Sequence, residues 1–497
     1  MAESLKTKSG WRWPRRILIT LAVLATLIAI FYTEEDWRGK RDWDTYRSQW
    51  EAKGEKFDWQ DFVPATVPDN QNFFTSPVFT NILANRTKMS VLSVYRDDGS
   101  FPKLRNSYWA EATLTDLQGW QTYYRSPHNT KVPNEFPVVP QPQTPAADVL
   151  LALSRYDSTI EALRQASQRP FSNIPLNYED GFGSASTLLP YLATLKQCAL
   201  MLGLRSTAEL ADGQSAKACD DVMLMLKLDD SIRSQPFLIT HLVHIAIFSI
   251  TLQPIWEGLV EHRWTDEQLA QIDSELGKMD FLADYEFTMR GQRAFAIETF
   301  EQQRITRRSE TWDSTRGTNV THSYYLMPVA YFYQNELNFA RVSQQWILPL
   351  VDTNTRVASP ANWQQANEAV QKQLKHFSPY KMEARMTFPV VGASFTRFTF
   401  AQSGLDLARM ACALERYHLA HGEYPEMLEA LAPQFIETIP HDVINGQPLH
   451  YRRTDDGKFL LYSVGWNEKD DGGKIALTSN GNFDKNNGDW VWPVTAN

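Results

Sequence analysis

Residues 17–32 read ILITLAVLATLIAIFY, an uncharged apolar run preceded by Lys6, Lys8, Arg12, Arg15 and Arg16 and followed by Glu34, Glu35 and Asp36. No other stretch of the chain carries that charge step. At about 1.5 Å per residue the run spans about 24 Å as a helix, a few Å short of a hydrocarbon core of roughly 30 Å. Trp11, Trp13 and Tyr32 suit headgroup depth, and the arginine pair can snorkel, so the flanks make up the difference. Lys and Arg on the N-terminal side predict that residues 1–16 stay in the cytoplasm and that everything after Thr33 lies outside. The rival reading is a cleaved signal peptide. Its one passable cut, at Val23-Leu24-Ala25, would leave residues 26–32 as an exposed apolar tail, which favours an uncleaved signal anchor. The expected partner of residues 17–32 is therefore the lipid bilayer. The expected setting is a bacterial cytoplasmic (inner) membrane, crossed once.

The rest of the chain is long enough to build packed cores: 497 residues, 43% hydrophobic. Its formal net charge is -9, and its basic clusters lie at the N-terminus and around Arg304, Arg307 and Arg308. That argues against nucleic-acid binding, which calls for a basic face. Cys198, Cys219 and Cys412 form no C-x-x-C, and an odd count leaves at least one thiol unpaired within the chain. A Cys198–Cys219 bridge requires the helices that carry them to be antiparallel neighbours.

Residues 33–145 read as a stalk helix and an irregular, proline-rich region. The helix covers residues 36–53 and stops at Gly54, with Trp43, Tyr46 and Trp50 on one face. Asp42, Asp44 and Glu51 would face anionic lipid, so that face is expected to pack on the protein's own body. A short helix is predicted over 114–124, and Pro133, Pro137, Pro140 and Pro142 suggest an extended strap. Thr144 then caps a helix with Pro145 at its first position.

Residues 146–394 read as a domain of antiparallel helices. Helices over 188–211 and 215–228, broken at Gly213, resemble one tetratricopeptide-type unit, but no repeat follows. The apolar stretch 236–256 contains His241, His244, Gln253 and Pro254 and is expected to be a buried core helix. Thr265 and Gln268 form a capping box. A polar loop is predicted over 304–322 and a polar helix over 362–375.

Most enzyme motifs are absent: no Walker loop, no G-x-S-x-G, no H-E-x-x-H and no paired C-x-x-C. His241 and His244 could ligate a metal from one helix face, but such histidines are usually hydrogen-bonded core residues. Asp280, Asp284, Glu286, Glu298 and Glu301 could do acid and base work. Arg290 and Arg293 beside them make ion pairing the simpler account.

From about Phe395 the character changes. A helix through Leu405, Cys412 and Tyr417 leads into His421-Gly422-Glu423-Tyr424-Pro425, then Leu428 and Leu431, Ile439-Pro440-His441-Asp442, and Asn445-Gly446-Gln447-Pro448. A turn at Asp456-Gly457 joins two strands, and Asp470-Asp471-Gly472-Gly473 follows. This order resembles the globular domain of the major pseudopilins of type II secretion, and residues 395–497 are expected to be an α+β domain of that kind. The whole chain also resembles membrane-anchored proteins of planctomycete and verrucomicrobial type. A pilin's processing glycine and fifth-position glutamate are missing from the apolar helix, which speaks against assembly into a pilus. The pseudopilin resemblance implies calcium in the terminal loop, with Asp470, Asp471 and Asp489 as ligands and Asp484 nearby; the spacing is not that of an EF-hand. The expected function is non-enzymatic: an anchored envelope protein holding a helical interaction domain and a pseudopilin-like module outside the membrane, with an envelope or secretion-system protein as partner. The alternative is an anchored hydrolase that uses the acidic residues of the helical domain.

Overall fold

The computed structural model describes residues 12–85, 92–95, 109–126, 136–178, 182–313 and 318–495. Apolar run and stalk form one helix, α1 (Arg12–Glu51), which ends in a turn at Gly54, φ +91°. Side chains 13–34 of α1 are exposed, whereas Glu35, Gly39, Trp43 and Tyr46 are buried at helical spacing. Gly39 permits the approach, because a Cβ there would lie 3.3 Å from Ala330 Cα. Trp43 and Tyr46 then pack with Phe57, Ile297, Leu337 and Ala340, so the stalk does pack on the protein's own body.

Short helices follow: α2 (Pro77–Ala84), α3 (Leu117–Arg125), α4 (Pro145–Leu153) and α5 (Asp157–Ala166). Thr144 caps α4 as expected, accepting the Ala147 N–H at 3.2 Å. The helical centre consists of α6 (Phe182–Ala211), α7 (Ser215–Asp230), α8 (Leu238–Val260), α9 (Asp266–Leu276) and α10 (Phe281–Thr306). Gly213, φ +78°, turns α6 into α7, and the Thr265–Gln268 capping box opens α9. Where a loop was expected over 304–322, α10 continues to Thr306 and an antiparallel hairpin follows, β1 (Arg308–Asp313) and β2 (Thr318–Ser323). Arg307 ends the helix in the left-handed region, and the β-branched residues Thr311, Thr318, Val320 and Thr321 suit strands better than loop.

The chain closes with α11 (Val329–Val342), α12 (Pro360–Leu374), α13 (Met382–His421) and strands β3 (His450–Arg453), β4 (Phe459–Ser463), β5 (Ile475–Leu477), β6 (Phe483–Gly488) and β7 (Trp490–Trp492). Strands β3, β4 and β7 form an antiparallel sheet in that order, and β5 pairs with β6. The fold is mostly helical with a small C-terminal sheet.

Helix α13 is the axis of the larger core. Phe395, Phe398, Leu405, Ala408 and Cys412 are buried among α8, α9, α10 and the sheet. Trp109 packs on Trp492 at 5.1 Å between ring centroids, and Trp256 Nε1 donates to Pro493 O at 2.8 Å. A boundary at 394/395 therefore falls inside one helix, and the C-terminal strands share a core with the helical centre. The three thiols are buried and free.

Among the described residues, three helices are long and apolar enough to cross a membrane, at 13–51, 187–211 and 238–260. In the first, none of the most apolar window is buried; in the other two 56% and 67% is, against neighbouring helices.

Candidate functional site

Asp280, Asp284, Glu286, Glu298 and Glu301 do not converge on one site. Asp280 caps α10, accepting the Leu282 and Ala283 N–H groups at 3.1 Å each, and pairs with Arg356. Glu286 pairs with Arg290, Glu301 meets Arg304 at 3.1 Å, and Glu298 accepts from the Gln302 amide at 2.8 Å. Asp284 lies 3.3 Å from Arg233 and 3.3 Å from His244 Nε2. His244 Nδ1 in turn lies 2.7 Å from Asp229 Oδ1. Burial pulls the His244 pKa down, but the two carboxylates outweigh it and raise it to about 9. His244 and Arg233 thus lie between two aspartates inside the core, and His241 bonds to Gln235 O at 3.0 Å. Both histidines are core residues.

Asp470 and Asp471, in the β4–β5 connection, come close to Asp489, between β6 and β7, but their oxygens serve different partners. Asp489 is fully buried and accepts the N–H groups of Asp471, Gly473 and Lys474 at 3.2, 2.7 and 3.3 Å. Asp470 accepts from Tyr462 OH at 2.9 Å and from Gly472 N–H at 2.9 Å. Asp471 accepts from the Asn467 amide at 2.8 Å. Among the described residues, no group of three or more His, Cys, Asp or Glu side chains is placed to hold a metal ion. Calcium rests on the resemblance alone. Gly473 is required here for its φ of +78° and because a Cβ would sit 2.5 Å from Leu460 Cδ2.

A cavity of about 460 Å³ between the α8–α9 turn, α13 and the β3–β4 hairpin carries a cluster that the sequence reading missed. The buried carboxylate of Glu415 accepts from Tyr424 OH at 2.8 Å and lies 2.7 Å from His262 Nδ1. His418 stacks on Tyr424 with ring centroids 4.6 Å apart, and its Nδ1 is buried without a hydrogen-bond partner. His262 sits in the left-handed region, φ 51°, a conformation that non-glycine residues adopt at a cost. The turn is held from beneath, since Trp264 covers Gly258 so closely that a Cβ there would lie 2.1 Å from Nε1. Leu259, Phe459, Trp492 and Val494 supply an apolar lining, and a carboxylate-oriented imidazole facing such a cavity can act as a base. The signal available was Tyr424 in the H-G-E-Y-P motif; nothing in the spacing links it to residue 262.

A second cavity, about 360 Å³, holds Asp406, whose pKa burial pushes up to about 7 and whose carboxylate accepts from Gln402 Nε2 at 3.0 Å. Arg356 and Arg409 line it too.

Comparisons with family models, with curated protein sequences and with solved structures gave no match to this chain.

Proposed function

We propose that the protein is an anchored envelope protein: α1 crosses the cytoplasmic membrane once, N-terminus inside, and its second half holds the helical body and its C-terminal pseudopilin-like strands against the outer side. The observation that carries this reading is the abrupt change along α1, from bare apolar side chains before Glu34 to a face sealed by α11 after it. Lys and Arg before the run set the orientation. The body would then be a platform for an envelope or secretion-system protein, with no chemistry of its own. Alkaline extraction of membranes tests the anchor. The full chain should stay with the lipid, a Leu24→Asp, Leu27→Asp variant should be released, and intact mass should find residues 11–30 retained.

The Glu415–His262 pair favours a second reading, a site for a small molecule with an ionisable proton. The acidic residues of the helical centre do not support the hydrolase form of that idea, because they are paired with arginines, His244 and Gln302. His262→Ala should abolish both ligand-induced stabilisation and any turnover if this cavity is the site.

A further inference from the structure

We infer that the body touches the bilayer through a second, non-spanning surface beside α1, formed by the Tyr325-Leu326-Met327 turn, Phe377 and the first two turns of α13. The inference rests on the anchor reading and adds a membrane contact to it.

The geometry follows from where α1 meets the body. Tyr32 ends the apolar run, and Asp36, about 6 Å further along the axis, already accepts the Ala330 N–H at 2.6 Å. One residue before it, Glu35 accepts from Tyr380 OH at 3.4 Å. The α11 N-terminus and the segment before α13 are therefore held at the point where α1 leaves the lipid. Within a few residues of those two contacts lie exposed apolar side chains. Leu326, four residues before Ala330, is 90% exposed; Phe377, three before Tyr380, is 78% exposed; and Met386, one turn after Met382 on the same face of α13, is 64% exposed. Exposed side chains of this size, each within about six residues of a contact that α1 makes where its apolar run ends, are a surface that meets something apolar.

The chemistry around them selects lipid. Lys375, Lys381 and Arg385 alternate with Phe377, Met382 and Met386, which is the pairing of basic groups and apolar wedges found in segments that lie in the headgroup layer. Glu383 is the one carboxylate in that segment and is half-buried, turned from the exposed face. A protein partner would have to reach the same surface through the lipid that surrounds α1.

The test uses the full chain with one environment-sensitive label at a time, placed at Leu326→Cys, Met386→Cys, Leu24→Cys or Leu477→Cys, in vesicles of phosphatidylcholine and phosphatidylglycerol containing a lipid-borne quencher. The native thiols are buried and do not compete. Labels at 24, 326 and 386 should be quenched several-fold more than the label at 477, which sits on β5. Strong quenching at 24 with 326 and 386 no better than 477 overturns the second contact and leaves the anchor standing. Absence of quenching at 24 overturns the anchor reading, and this inference with it. Labels at 326 and 386 that report an apolar environment but escape the quencher would mean a protein covers the surface, which also overturns the inference.

Discussion

Arg293 Nη2 donates to Glu55 Oε2 at 2.8 Å, so the chain just past α1 is tied to a fully buried guanidinium on α10. Glu55 also accepts from Arg290 Nη2 at 3.1 Å and from Gln344 Nε2 at 3.2 Å, while Arg293 stacks over Phe57 and donates to Lys56 O at 2.7 Å. A helix held only by its apolar face could slide or roll. This clamp fixes its register on the body.

Removing Glu55 leaves Arg293 buried with its charge uncompensated, which costs about 3 to 5 kcal/mol. Glu55→Ala should therefore lower the stability of the body strongly in denaturant unfolding. Adding Arg293→Met, which removes the stranded charge, should restore much of the loss.

The same clamp has a pH signature. Partial burial pushes the Glu55 pKa upward, but hydrogen bonds and charge from Arg290 and Arg293 outweigh it and hold it at about 2, below its ordinary 4.5. A depressed folded-state pKa contributes stability that is fully present above pH 4.5 and is lost as pH falls toward 2. Glu55→Gln should flatten that acid limb in melts recorded between pH 5 and pH 2.

Asp406 has the opposite sign. Its pKa lies above the ordinary 3.8, at about 7, so the folded state holds its proton longer than the unfolded chain does. Stability should fall as pH rises from about 4 to 7 on its account. Asp406→Asn should stabilise the protein by about 1 kcal/mol or more at pH 8 and have little effect at pH 3, measured by thermal melts at the two values.

Asp489→Ala removes the buried carboxylate that accepts three backbone N–H groups of the surface loop at 471–474 and should destabilise by about 1 to 3 kcal/mol. The carboxylate's partners here are backbone N–H groups of the protein itself, so the drop should be present in chelator. A calcium site of the kind the resemblance implies requires the drop to be larger when calcium is added.

Local patterns in the sequence were legible wherever the residues decide the structure by themselves. Thr144-Pro145, the Thr265–Gln268 box, Gly213 and Asp456-Gly457 mark elements through backbone chemistry, and each does so in the fold. The face of Trp43 and Tyr46 was readable because helical periodicity shows which side must be covered. What stayed hidden depends on pairing across long separations. Glu55 meets Arg293, His262 meets Glu415 and Trp109 meets Trp492 through tertiary packing, for which spacing carries no signal. Asp489 read as a possible ligand because a carboxylate among glycines and asparagines looks the same whether it holds a cation or its own loop.

The position of the two chain ends tests most directly whether α1 carries the body across one membrane. Reporters that are active on only one side of the membrane, fused to the N-terminus and after Asn497 of the full chain, should place residue 1 in the cytoplasm and residue 497 outside it. A C-terminal reporter active in the cytoplasm would contradict the account and return α8 to consideration as a second crossing.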